Sequence, residues 1–349
     1  MKKIKIAVIF GGNSPEYEVS LQSAFSVFEN INHNKYEVLP IGITRDGEWF
    51  HYTGDYENIA QNKWQWDFEN LFPAIISGNR SVKGFLELVN QKYVVNKIDL
   101  AFPVLHGKNG EDGTLQGMFE LAGIPVVGCN TLSSALCMDK DRAHKLVSVE
   151  GVRVPKSVTF THSEKDSAPN RIKSCLHFPI FIKPVRAGSS FGITKVAKPE
   201  ELSDAVNTAF KYDSQVIAEE AIDGFEVGCA VLGTDELTVG RVDEIELSDG
   251  FFDYTEKYTL KSSKIHMPAR IDAEAEQKIQ QTAVKIFKVL GCSGFARVDM
   301  FYTPSGEIVF NEVNTIPGFT SHSRYPNMMK GIGLDFAQML DKLIGLYVK

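Results

Sequence analysis

The chain reads as α/β, with more than one domain. Three observations predict this. A buried apolar run at residues 4–10 turns through Gly11-Gly12 into a helix start. Apolar runs of the same kind recur at 98–105 and 124–130. Late in the chain, two alternating runs flank Pro304-Ser305-Gly306. The 349 residues exceed one ordinary core, so two or three domains are expected.

Composition narrows the class. Hydrophobic residues make up 43% and charged residues 23%, which is ordinary for a soluble globular chain. The net charge of -7 argues against a nucleic-acid surface. An acidic chain can still bind phosphates through a local cluster of Lys, Arg and backbone N–H groups. The opening run Ile6 to Phe10 is too short for a signal peptide, and no segment is long and apolar enough to span a bilayer. The five cysteines are dispersed, with no C-x-x-C, which implies reduced thiols and a cytoplasmic protein.

The first strand, IKIAVIF, is continuously apolar, as parallel strands covered on both faces are. Asn13-Ser14-Pro15 opens a helix, with Glu16 and Glu18 in its first turn. These carboxylates either stabilise the helix dipole or place one acid at a strand's C-terminal end, where α/β sheets bind ligands. A strand at 36–44 follows, and 45–96 is mixed and carries little functional signal. The buried run 98–105 delivers His106 into a Gly-rich turn whose helix could meet an anion through its free N–H groups. The run 124–130 reads as the last strand of the first domain.

A second unit begins near Thr131, with a helix starting at Met138 to Arg142. Strands at 152–160 and 178–185 lead to Arg186-Ala187-Gly188-Ser189-Ser190-Phe191-Gly192. This is not a phosphate loop of the G-x-x-x-x-G-K-[ST] kind, because strand follows it. Its hydroxyls and N–H groups, with Lys183 just before, can still fold over phosphates. A strand from Val216 runs into Glu219-Glu220-Ala221-Ile222, and strand-like pattern continues to about 247. The polar-aromatic stretch 251–261 has the length and composition of a lid. Amphipathic helices are expected at 272–290 and 333–347.

Between those helices, 296–318 reads as a hairpin. Alternation puts Arg297 and Asp299 on one face and Glu312 and Asn314 on one face. If the register joins the faces, Asp299, Glu312 and Asn314 converge as hard oxygen ligands suited to Mg²⁺ completed by phosphate oxygens. The hairpin alone leaves a solvent-facing polar row equally open.

Taken together, the segments GGNSPEYEVSLQS, LHGKNGEDGTLQG, ALCMDKDR, IKPVRAGSSFG, FFDYTEKY, ARVDM and NEVNTIPGFTSHSRYP resemble the D-alanine–D-alanine ligases of the ATP-grasp class, nearly end to end. The resemblance implies an N-terminal Rossmann-like parallel-sheet domain (1–130), a small central α+β domain (131–222) and a C-terminal α+β domain (223–349). It implies ATP and two Mg²⁺ ions, with Mn²⁺ able to substitute, and a homodimer. Lys140, Lys183 and Ser190 would hold ATP phosphates; Glu219 and Ile222 would border adenine, and Glu226 the ribose. Asp299, Glu312 and Asn314 would bind the metals. Glu16 would receive the first D-alanine's ammonium, linked to Ser189 and Tyr258, with His106 nearby. Lys257 would close over the γ-phosphate. Arg297 and the Gly318 N–H would stabilise the oxyanion, and Ser323 would touch the second carboxylate.

Two positions depart from the usual pattern. Phe252 stands where Tyr is usual, and Arg324 where Leu is usual. Both resemble the vancomycin-resistance ligases, and the intact DY-x-x-KY pattern favours the D-alanine–D-serine type over the D-lactate type. A D-alanine–D-alanine ligase of cell-wall synthesis is the alternative. Arg324 adds donors that could reach a seryl hydroxyl or carboxylate, and Asp243 could accept the seryl O–H.

Overall fold

The computed structural model describes residues 2–188, 190–247 and 263–348. Its strands form three sheets. The first contains β1 (Ile4–Gly11), β2 (Tyr36–Ile43), β3 (Trp49–Tyr52), β4 (Leu71–Ile76), β5 (Gly84–Val89), β6 (Lys92–Lys97) and β7 (Leu100–Pro103), ordered β6-β5-β4-β3-β2-β1-β7. β1 pairs in parallel with β2 and β7, and the remaining pairs are antiparallel. The helix Tyr17–Asn30 supplies the crossover that a parallel β1–β2 pair requires. Alternate residues of β1 serve two cores: Ile6, Val8 and Phe10 pack on one side, Ala7 and Ile9 on the other. That is why the run is apolar without a break.

One expectation is corrected in this unit. Residues 45–96, where the sequence carried little functional signal, supply β3 to β6 and extend the parallel centre as an antiparallel meander. Asn90 and Gln91 both take positive φ, 48° and 63°, which matches the two-residue turns that return one strand tightly on the next. Conversely, 124–130 is not a full strand. It makes one parallel bridge, Val126 to Ala101. Pro125 has no N–H for a ladder, and Gly128 (φ +112°) then turns the chain away.

The second sheet is antiparallel, with β8 (Ser157–Thr161), β9 (Ile180–Pro184), β10 (Thr194–Val196) and β11 (Gln215–Glu220) in the order β10-β9-β11-β8. The third contains β12 (Phe225–Gly233), β13 (Leu237–Leu247), β14 (Ser263–His266), β15 (Gly294–Tyr302) and β16 (Ile308–Asn314), ordered β14-β13-β12-β15-β16 and also antiparallel.

The helix Ala273–Val289 buries Ile279, Ala283, Ile286 and Phe287 in a core shared with Val298 and Met300 of β15. Asp272 caps it by accepting from the Ala275 N–H. The first and third sheets are not independent. Phe102 of β7 meets Phe295 and Phe319 edge to face, with centroids 6.4 and 6.1 Å apart, so one core runs from β1 to the C-terminal helix Phe336–Gly345.

Candidate active site

The hairpin of β15 and β16 has the register that brings the polar faces together. Arg297 lies opposite Asn314, and Asp299 opposite Glu312. Asp299 is 1% exposed and heavily engaged. Arg297 donates to it through Nε (2.8 Å) and Nη2 (2.7 Å), and Asn314 Nδ2 donates at 2.8 Å. Glu312 faces the Lys140 ammonium at 3.5 Å. Among the described residues, no group of three or more His, Cys, Asp or Glu is assembled as a metal cage. The hairpin turns the Glu312 carboxylate and the Asn314 amide to the first cavity, with the Asp299 carboxylate behind them held by Arg297 and Asn314. That set suits a hard cation whose remaining ligands come from a phosphate or water, as Mg²⁺ prefers.

Gly228 of β12 sits between the paired strands, opposite Asp299 on one side and Asp243 on the other. A Cβ there would strike Arg324 Nη2 and come within 2.8 Å of Asp243 and 2.9 Å of Asp299. The glycine therefore opens a slot for the Arg324 guanidinium. Arg324 is 8% exposed and fills it, donating from Nε and Nη2 to the two Asp243 oxygens at 2.7 Å each, and from Nη1 to Glu226 at 3.0 Å. Burial disfavours this charge, but Asp243, Asp299 and Glu226 outweigh burial and hold the guanidinium protonated beyond its ordinary range.

This corrects the reading of Asp243 as an acceptor for a seryl hydroxyl. It is 0% exposed, and Arg324 and the Gly228 N–H occupy its carboxylate. Asp243 stands behind Arg324, which commits one N–H each from Nε, Nη1 and Nη2 to carboxylates and has a second N–H on each of Nη1 and Nη2.

Two cavities flank the hairpin. One, about 450 Å³, brings together Glu16, His106, Arg297, Gly318, Ser323 and Arg324. The other, about 510 Å³, is walled by Lys183, Ser190, Glu219, Ile222 and Glu226, with Phe181 and Phe225 as apolar surface. Lys140, Ala187 and Glu312 border both cavities. Lys140 lies in the first turn of the helix Lys140–Val149, capped by Asp139, and donates to the Ala187 carbonyl at 3.0 Å.

Chemistry in the second cavity centres on Glu219, which is 1% exposed. Its Oε2 meets Lys183 Nζ at 2.6 Å. Burial pushes the Glu219 carboxyl up, but Lys183 and His144 overcome this and hold it below the usual carboxylate range. Oε1 makes no hydrogen bond, and neither does His144 Nδ1, 3.5 Å away.

In the first cavity, the Glu111 carboxyl is pushed up to about 8 by burial and by facing Glu16, although the Gly107 and Ile316 N–H groups and Arg297 pull it down. Burial also lowers His106 below its ordinary value, against the pull of Glu16. Sequence reasoning missed Glu111 and His144. Glu111 lay inside the quoted LHGKNGEDGTLQG run, and His144 follows Lys140 by one helical turn. Ser189, Phe252, Lys257 and Tyr258 lie outside the described residues.

Comparison with known families and solved structures places this arrangement of three sheets and two cavities in the ATP-grasp class of ATP-dependent carbon–nitrogen ligases. Residues 5–129 match the family profile "D-ala D-ala ligase N-terminus", and 146–345 match "D-ala D-ala ligase C-terminus". The chain belongs to the D-alanine–D-alanine ligase family. It is 45% identical to the vancomycin/teicoplanin A-type resistance protein VanA of Enterococcus faecium, covering 100% of both chains. It is 44% identical to the D-alanine–D-alanine ligase of Caldicellulosiruptor bescii, covering 100% of this chain and 96% of that one. It also superposes on the crystal structure of the VanG D-Ala:D-Ser ligase from Enterococcus faecalis with a TM-score of 0.94. Identity there is 74%, covering 99% of this chain and 100% of that one.

Proposed function

We propose that this chain joins D-alanine to D-serine at the expense of ATP, giving peptidoglycan precursors that confer vancomycin resistance. One observation carries the ligase chemistry: the two cavities share Lys140, Ala187 and Glu312 as a wall. A phosphoryl group passing from a nucleotide in one cavity to a carboxylate in the other would cross at that wall. The D-serine choice is supported by Arg324 at the first cavity and by the likeness to the VanG ligase.

In this reading the first D-alanine lies in the first cavity, its ammonium at Glu16, near His106. Its carboxylate oxygen attacks the γ-phosphorus, ADP leaves, and D-alanyl phosphate forms. Lys140, Lys183 and Ser190 hold the phosphates, Lys257 closes over them, and Glu219, Ile222 and Glu226 seat the nucleoside. Asp299, Glu312 and Asn314 would hold two Mg²⁺ ions, replaceable by Mn²⁺, which neutralise the charge gathering during phosphoryl transfer.

The D-serine amine then attacks the acyl carbon, and inorganic phosphate departs. Arg297 and the Gly318 N–H stabilise the oxyanion between those events; one such donor is typically worth on the order of 10²–10³ in rate. Ser323 meets the second carboxylate. Ser189 and Tyr258 complete the hydrogen-bonded set around Glu16.

An apolar pocket discriminates poorly for or against an added hydroxyl, so preference for D-serine needs a polar group. Arg324 is that group in this proposal, with Asp243 fixing its orientation and Phe252 leaving space. The domains (1–130, 131–222 and 223–349), a homodimer and a cytoplasmic location belong to the same reading.

The test is phosphate release and product mass with ATP, Mg²⁺ and D-alanine, alone or with D-serine or D-lactate. A D-alanyl-D-serine product dominating at equal concentrations is expected. Equal or greater D-alanyl-D-alanine would instead establish the D-alanine–D-alanine ligase.

A further inference from the structure

The segment leaving β16, Thr315 to Phe319, carries the Gly318 N–H, yet little of β16's own sheet holds it. Its anchors come from the N-terminal unit, more than 200 residues earlier in sequence. The Ile316 N–H donates to Glu111 Oε1 at 2.9 Å, and Glu111 Oε2 accepts from the Gly107 N–H at 2.9 Å. The Ile316 carbonyl lies 2.9 Å from His106 Nδ1. The Phe319 N–H donates to Ser23 Oγ at 3.2 Å, and Ser23 Oγ lies 2.9 Å from His106 Nε2.

The proton placement follows from the partners. A carbonyl can only accept, so His106 Nδ1 carries the proton. In the neutral ring Nε2 then accepts from the Ser23 hydroxyl, whose oxygen is left to accept from Phe319. Burial keeps the ring neutral in support of this. Both backbone polar atoms of Ile316, in two successive peptide groups, are thus held, and Gly318 lies between two fixed points.

We propose that Glu111, with Ser23 and His106, forms a positioning clamp that sets the Gly318 N–H against the acyl group bound at Glu16. The clamp rests on the ligase reading only for what the Gly318 N–H does; the grip itself is independent of it. Glu111 is a positioning residue, since it acts through Ile316. It is also the one member that ties two backbone segments together: Gly107, beside the Glu16 carboxylate, and Ile316, two residues before the oxyanion donor. A Cβ on Gly107 would collide with Glu16 Oε2, so this grip also keeps Glu16 and the Gly318 turn at a fixed spacing.

The experiment compares wild type with Glu111→Ala and Glu111→Gln by amide hydrogen–deuterium exchange and by kinetics. Both oxygens accept when Glu111 is ionised, so the comparison is run above pH 8, where Glu111→Ala removes both acceptors. Glu111→Gln keeps one acceptor oxygen and sets an NH₂ against the other N–H, so it serves if the alanine variant does not fold. Exchange of residues 314–320 should accelerate roughly tenfold in Glu111→Ala and less in Glu111→Gln, while β12 and β13 are unchanged. The kcat should fall roughly tenfold or more, with the KM for ATP unaltered, because the nucleotide cavity does not touch Glu111.

Residues 314–320 exchanging as slowly as in wild type would overturn the clamp. So would acceleration spread evenly over the chain in both variants, which marks a merely structural role. If wild type turned over no D-amino acid, the ligase reading would fall, and the exchange comparison alone would still decide the clamp.

Discussion

Substituting Asp243 by alanine removes both oxygens that hold Arg324 Nε and Nη2. Both residues are buried, and each contact is 2.7 Å. Charge-assisted hydrogen bonds contribute roughly 1.5–3 kcal/mol each, and breaking a buried pair from one side costs roughly 3–5 kcal/mol because a charge is left unpaired. Arg324 keeps Glu226 at 3.0 Å and Asp299 at 3.4 Å, which offsets part of that loss. The expected destabilisation is therefore about 3 kcal/mol. Arg324→Leu replaces the guanidinium by an uncharged side chain.

The double variant should recover part of the single-variant loss, with a coupling of about 2 kcal/mol in a double-mutant cycle read by urea unfolding. The same proteins, assayed with D-alanine and D-serine in competition, should lose the D-serine preference whenever Arg324 loses its anchor. A coupling under about 0.5 kcal/mol, or an unchanged preference in Asp243→Ala, would refute the reasoning.

Three further outcomes are expected. Gly228→Ala should cost about 1–3 kcal/mol by overfilling the slot and should shift substrate preference in the same direction as Asp243→Ala, measured by unfolding and product ratio. Glu111 titrates near 8 in the fold and near 4.5 unfolded, so the native state keeps a proton that the unfolded chain releases. Its stabilisation is present below about pH 4.5 and lost as pH rises towards 8, at up to about 1.4 kcal/mol per pH unit relative to Glu111→Gln; parallel stability curves for the two would refute this. Chelating divalent ions should abolish phosphate release, with recovery on adding Mg²⁺ or Mn²⁺. Glu312→Gln should raise the Mg²⁺ concentration needed for half-maximal rate roughly tenfold or more, since one of two carboxylates is lost.

The hairpin was legible because alternation and the Pro304-Ser305-Gly306 turn agree on two paired strands, but its register was not: the turn alone would set Asp299 opposite Asn311, and an irregularity between Asp299 and Met300 moves it opposite Glu312. The parallel β1 was legible because both faces are buried. β3 to β6 were not. In β6, Tyr93, Val94 and Val95 are all exposed, so no face preference is written into the sequence of this edge strand. The helix Arg324–Lys330 begins with Pro326 in its first turn and is too short for a period to show.

In the site, alternation shows which residues share Asp243's face but not whether that face meets solvent. Its partner, Arg324, is 81 residues away, and nothing local announces it. Glu111 was hidden for the same reason: a carboxylate in a Gly-rich turn looks like turn chemistry until a backbone N–H from another sheet arrives.

The wall shared by the two chambers has a pharmacological consequence. Among the described residues, Lys140, Ala187 and Glu312 border both spaces, so a single molecule could occupy the two at once. It would carry an aromatic base at one end, an amino-acid isostere at the other, and a short anionic link to sit on the Lys140 ammonium. Such a compound would draw on both binding surfaces.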